Sequence, residues 1–126
     1  MAKNREAEIR DFYEKIIEAI KGRQVICVFG RINPSKKERL LGLYENHVVI
    51  IDITGDIVDS IFHEVLHYIK PMWDDRQVVP RTRYAMKILS VNELYKLLKI
   101  AVDNAIWLEE NFDEAEDIAE LKDFIK

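Results

Sequence analysis

The stretch HVVIIDITGDIVDSIFHEVLHYIKP, residues 47–71, changes its hydrophobic period halfway along. Up to Ile53 it is rich in β-branched residues, the composition of a strand. After Thr54-Gly55 the apolar positions Ile57, Val58, Ile61, Phe62, Val65 and Ile69 recur every three or four residues. That spacing predicts a helix capped by Thr54 or Asp56 and stopped by Pro71. A strand feeding straight into an amphipathic helix sets the architecture expected of the remainder.

Within that helix the letters HEVLH place His63 and His67 four residues apart, on one face and one turn from each other. At 100° per residue they point away from the stripe of Ile57, Ile61, Val65 and Ile69, so they are expected outside the core. Asp59 stands one turn before His63, where it is expected to accept the other ring N–H. Two neutral imidazoles at this spacing form a two-ligand clamp for Zn2+. In such a site the ion lowers the pKa of water and polarises a peptide carbonyl, while a carboxylate takes the proton and passes it to the leaving amine. Glu64, between the metal-facing and buried sides, is the expected general base.

Upstream, Ile9, Phe12, Tyr13, Ile16, Ile17 and Ile20 predict an amphipathic helix ending near Gly22. QVICVFGRI reads as a strand, and RLLGLYE and HVVIIDI flank Glu45-Asn46 as the two arms of a hairpin. Downstream, PMWDDRQVVP reads as a loop between Pro71 and Pro80. From Thr82 a long helical pattern runs through Leu94, Leu97, Leu98, Ala101, Val102, Ala105 and Leu108, with a break near Ser90. Residues 110–126 form an acidic C-terminal segment with Ile118, Leu121 and Ile125 on one side. The expectation is a single α+β domain over residues 1–126, built from an N-terminal helix, a small three-stranded, mostly antiparallel sheet, the HExxH helix and a long following helix.

With 126 residues, 48% of them hydrophobic and 33% charged, the chain has material for one core and no more. A formal net charge of -4 leaves no global basic footprint, so nucleic acid is not the expected partner. Arg31, Lys36, Lys37 and Arg39 nevertheless gather in one loop. Cys27 is the sole cysteine, which excludes an intrachain disulfide. No apolar stretch has the length of a membrane span or a signal peptide, so the expectation is a cytoplasmic protein, and the HExxH chemistry makes a peptide or protein its expected substrate.

The order helix, hairpin-bearing sheet, HExxH helix and second long helix resembles the minimal catalytic domain of zincin metallopeptidases of the gluzincin type. GLYENHVVIIDITGDIVDSIFHEVLHYI, residues 42–69, is similar to the corresponding stretch of the minigluzincins. The resemblance implies a zinc metalloendopeptidase whose extended substrate pairs with the strand around His47 to Asp52. It also implies a third ligand that is a glutamate on the helix after the active-site helix. Glu93 in SVNELYK is the first candidate, and its Asn-Glu pair is similar to that of thermolysin-like enzymes. The same residues form a capping box from Ser90. Glu109, whose spacing to Asp113 echoes the family's ExxxD, is the alternative, and at about 24 Å from Glu93 along a continuous helix only one of them can serve. Tyr84, Tyr95 and Arg83 are candidates to steady an oxyanion.

No histidine follows His67, and His47 reads as a hairpin residue. Without a second lobe the cleft is expected to be shallow. That leaves room for a latent form in which a terminal extension or the second copy of a homodimer covers it. Two other function classes stay open: a catalytically idle zincin-like metal-binding or regulatory module, and a nucleic-acid-associated protein using the basic loop.

Overall fold

The structure, a computed structural model, describes residues 2–30, 48–53 and 56–107. Helix α1 (Ala2–Lys21) buries the six apolar positions read from the sequence, Ile9, Phe12, Tyr13, Ile16, Ile17 and Ile20. It ends in two bonds that reverse the chain, Gln24 N–H to the Ala19 carbonyl at 2.9 Å and Arg23 N–H to the Ile20 carbonyl at 3.1 Å. Arg23 takes the left-handed conformation this termination requires, at φ 59°. The chain drops directly into β1 (Ile26–Gly30).

β2 (Val48–Asp52) pairs with β1 in parallel, from Ile26 opposite Val48 to Gly30 opposite Asp52. The two-residue β3 (Ile106–Trp107) extends the sheet on the other side of β1, again in parallel. The expected mostly antiparallel sheet is therefore incorrect: every strand pairing among the described residues is parallel. Ile106 and Trp107, expected within the long C-terminal helix, are strand residues. The expected hairpin arm RLLGLYE lies outside the described residues. The physical reason is visible in burial. β1 is buried at all five positions and β2 from Val48 to Ile51, rather than on alternate residues. Strands that are apolar on both faces belong to parallel sheets, whose long crossover connections cover both sides.

The described chain is chiefly helical, with four helices and this small sheet, so it remains α+β only in the loose sense. α2 (Ile57–Ile69) starts at Asp56, whose side chain accepts the Asp59 N–H at 3.2 Å. It buries Ile61, Phe62, Val65 and Leu66 completely and packs against β2 and α1. α2 also packs against the two helices that follow, α3 (Asp75–Ile88) and α4 (Val91–Asp103).

The expected loop across residues 71–80 is mostly helix. Asp74 caps α3 by accepting the Arg76 N–H at 2.9 Å, and the Gln77 side chain accepts the Asp74 N–H at 3.1 Å, closing a capping box. Pro80 sits inside α3, where it lacks the N–H that would have bonded the carbonyl of exposed Arg76. The expected long helix is broken at Leu89-Ser90, and Ser90 caps α4 by accepting the Glu93 N–H at 3.1 Å. No helix among the described residues is long and apolar enough to cross a membrane.

Because Leu66 is fully enclosed in the helix that touches every neighbouring helix, Leu66→Ala is expected to lower stability by about 2–5 kcal/mol in urea unfolding. Burial pushes the Cys27 thiol up to about 12. At pH 8 it is expected to stay unreactive toward a disulfide reagent in the native protein and to react within the dead time once the chain is unfolded.

Candidate metal centre

His63 and His67 stand on consecutive turns of α2, with ring centroids 4.7 Å apart and planes at 69°. Their Nε2 atoms are 3.2 Å from each other. Neither ring is in the core nor fully in solvent, with 22% and 29% of the side chains exposed. The third member of the cluster comes from the next helix. Asp75, the first residue of α3, places Oδ1 2.9 Å from His67 Nε2 and 3.3 Å from His63 Nε2. Among the described residues no other trio of His, Cys, Asp or Glu brings ligand atoms so close together.

The three separations of 3.2, 2.9 and 3.3 Å are a test of whether the donor set suits a metal ion. Ligands about 2.0–2.1 Å from a tetrahedral ion lie roughly 3.3 Å from one another. The triangle has nearly that size. A hydrogen-bonded cluster would satisfy one edge for each shared proton, whereas one cation serves all three donors together. Two imidazoles and a carboxylate are also a donor set that zinc accepts, with a position left for water.

Local sequence explains the convergence. α2 ends with the Lys70 N–H bonded to the Leu66 carbonyl at 2.8 Å, and the Trp73 N–H turns back to the Lys70 carbonyl at 3.0 Å. Asp74 then starts α3, so the reversal is complete within residues 70–74. The negative end of α2 favours a cation beside His67, and the positive end of α3 favours the Asp75 carboxylate.

The residues expected from sequence divide into those the structure gathers and those it places elsewhere. His63 and His67 come together, and Glu64 is half-buried beside them on α2. Asp59 makes no hydrogen bond to either imidazole among the described residues; its N–H is held by Asp56. Glu93 is engaged at the junction of α1 and α4. Its Oε1 accepts the Ser90 N–H at 2.9 Å, its Oε2 accepts from Arg10 at 2.9 Å, and its carbonyl accepts the Tyr13 hydroxyl at 2.9 Å. The Ser90 backbone bond, together with the Arg10 charge, holds the Glu93 carboxyl below the usual carboxylate range. Glu109, Asp113, His47 and the basic loop from Arg31 to Arg39 lie outside the described residues. Tyr84 packs against the core beneath the Arg5 guanidinium, 4.7 Å from its ring centroid, and Tyr95 is exposed.

Asp75 is the residue that sequence reading missed. The signal for it was the capping box Asp74-Asp75-Arg76-Gln77, which marks a helix start just after His67 and therefore a carboxylate returning over it. Two surface concavities border α1, one lined by Glu8, Pro80 and Arg81 and one by Lys15, Tyr68 and Pro71, and neither includes the histidines. No protein-family model, curated protein or solved structure matches the chain.

Replacing Asp75 by Ala is expected to weaken zinc binding at least about 100-fold in a competition titration, whereas Glu93→Gln leaves it unchanged. Glu93→Gln instead affects stability in a pH-dependent way. The folded-state carboxyl is depressed, so its stabilisation is present above the unfolded value of about 4.3 and is lost as pH falls through the lower folded value. Denaturation curves of parent and variant are expected to differ at pH 7 and to converge as pH drops below about 4.

Proposed function

We propose that the protein is a zinc-dependent metallopeptidase in which His63, His67 and Asp75 hold the ion and Glu64 is the general base. The observation that carries this reading is the convergence of three ligand atoms at 2.9–3.3 Å, two of them from the helix that also bears Glu64 and the third from the helix after it. The third ligand departs from the gluzincin resemblance, being an aspartate from the first turn of the next helix rather than Glu93. When bound, zinc supplies Lewis acidity that polarises a peptide carbonyl and makes water acidic enough to lose a proton near neutral pH.

The chain's own groups do the rest. The neutral imidazoles donate through Nε2, which requires each ring to keep its proton on Nδ1. Asp75 contributes a negative charge that offsets part of the ion's. The Glu64 carboxylate takes a proton from the attacking water as the new C–O bond forms, and returns it to the amine as the C–N bond breaks. β2 is one of the two edge strands of the sheet among the described residues and precedes α2 in the chain, which supports an extended peptide as the substrate.

Glu64→Gln is the deciding variant. It is expected to bind zinc within about threefold of the parent and to lose at least about 100-fold in hydrolysis of an internally quenched peptide library. Equal hydrolysis by parent and variant, or full activity in excess chelator, would contradict the reading. A zinc-saturated parent without any hydrolysis would indicate an idle metal-binding module.

A further inference from the structure

The three ligands of the cluster are not equally secured. His63 and His67 ride on a helix whose Ile61, Phe62, Val65 and Leu66 are fully enclosed. Asp75 has 75% of its side chain exposed, and among the described residues its carboxylate has no hydrogen-bond partner besides the histidines. Its position therefore depends on the backbone of residues 70–74, which joins α2 to α3.

That backbone is gripped from α1. The Trp73 ring meets Phe12 edge-on, with centroids 5.6 Å apart. The Arg81 guanidinium lies 4.4 Å from the Trp73 ring centroid and the Lys70 ammonium 5.4 Å from it. Arg81 is itself aimed by two bonds, to Glu8 of α1 at 2.8 Å and to the Gln77 carbonyl at 2.9 Å. The Gln77 side chain in turn accepts the Asp74 N–H. Two routes from Arg81 thus converge on residues 73 and 74, immediately before the ligand.

Given the zinc-centre reading above, on which this inference rests, we propose that Trp73 is a positioning residue for the metal centre, held by Arg81 and, through Glu8, by α1. The clamp touches none of the three ligand atoms. It sets where the first turn of α3 begins and hence where Asp75 Oδ1 stands relative to the two imidazoles. Its groups are partly exposed, with 31% of the Arg81 side chain and 42% of Glu8 in solvent, so the ion pair adds little to overall stability. A device of this kind affects the affinity of the centre more than the stability of the fold. It also gives α1, whose Phe12 and Glu8 belong to the clamp, control over the ion.

The test compares zinc dissociation constants, measured against a chromogenic chelator, with the thermal midpoints of the metal-free proteins. Trp73→Ala is expected to weaken zinc binding about tenfold or more, and Glu8→Gln and Arg81→Gln about three- to tenfold, acting one step further from the ligand than an ordinary supporting group. Glu8→Gln is expected to leave the metal-free midpoint nearly unchanged. Trp73→Phe, which keeps an aromatic face for Arg81, is expected to stay within about threefold of the parent. Leu97→Ala, in the core contributed by α4, serves as a control that lowers the midpoint without weakening zinc binding. If the parent binds zinc and the three clamp variants bind it equally well, the clamp is wrong and the metal centre stands. The clamp is also wrong if affinity merely follows the metal-free midpoint across all variants, Leu97→Ala included. If the parent binds no zinc, both ideas fall.

Discussion

Ile61, Phe62, Val65 and Leu66 occupy the one stripe of α2 that can be removed from water, and their burial between β2, α1 and the later helices fixes the rotation of that helix. Everything about the site follows from that rotation. With the stripe turned inward, residues 63 and 67 fall at the edge of the core, four apart and on one face, and their Nε2 atoms have little choice but to meet. The apolar contribution of the four side chains is several kcal/mol even by conservative area accounting, far more than any polar contact of the cluster supplies. The histidines are positioned by hydrophobic packing and not by each other.

The second constraint is the brevity of the α2–α3 reversal. A helix that ends at Ile69 and another capped at Asp74 are held nearly side by side, so the C-terminal end of one and the N-terminal end of the other face the same small volume. Negative and positive helix ends then favour, respectively, positive charge near His67 and the Asp75 carboxylate. His63 and His67 stand on the helix that packs against the other three, whereas Asp75 stands at an exposed helix start.

Much of this was legible in the residues. The apolar spacing in α1 and α2 is unambiguous, the capping box at Ser90 announced the break between α3 and α4, and HEVLH announced two histidines brought together on one helix face. The sense of the sheet was also present, since VICVF and VVII lack the alternation of a half-exposed hairpin, but Glu45-Asn46 drew the reading toward a tight turn. α3 was obscured because Pro71 and Pro80 look like boundaries. The capping pair Asp74 and Gln77 outweighs a proline in the first half of a helix whose lost bond faces solvent. The carboxylate that joins the histidines was signalled only by the capping box at Asp74, which the loop reading of residues 71–80 passed over. Glu93 has the expected residue type and a helical position, yet its carboxylate is committed to Ser90 and Arg10. Which carboxylate meets the histidines is decided by where a chain reversal ends, a tertiary property.

The central claim is that one ion sits among His63, His67 and Asp75. Anomalous diffraction from crystals grown with zinc, recorded on both sides of the zinc absorption edge, tests it directly. The account predicts a single strong peak about 2.0–2.2 Å from His63 Nε2, His67 Nε2 and an Asp75 carboxylate oxygen. A peak that has the histidines but takes a glutamate in place of Asp75, or fully zinc-exposed crystals with no peak at the histidines, would contradict it.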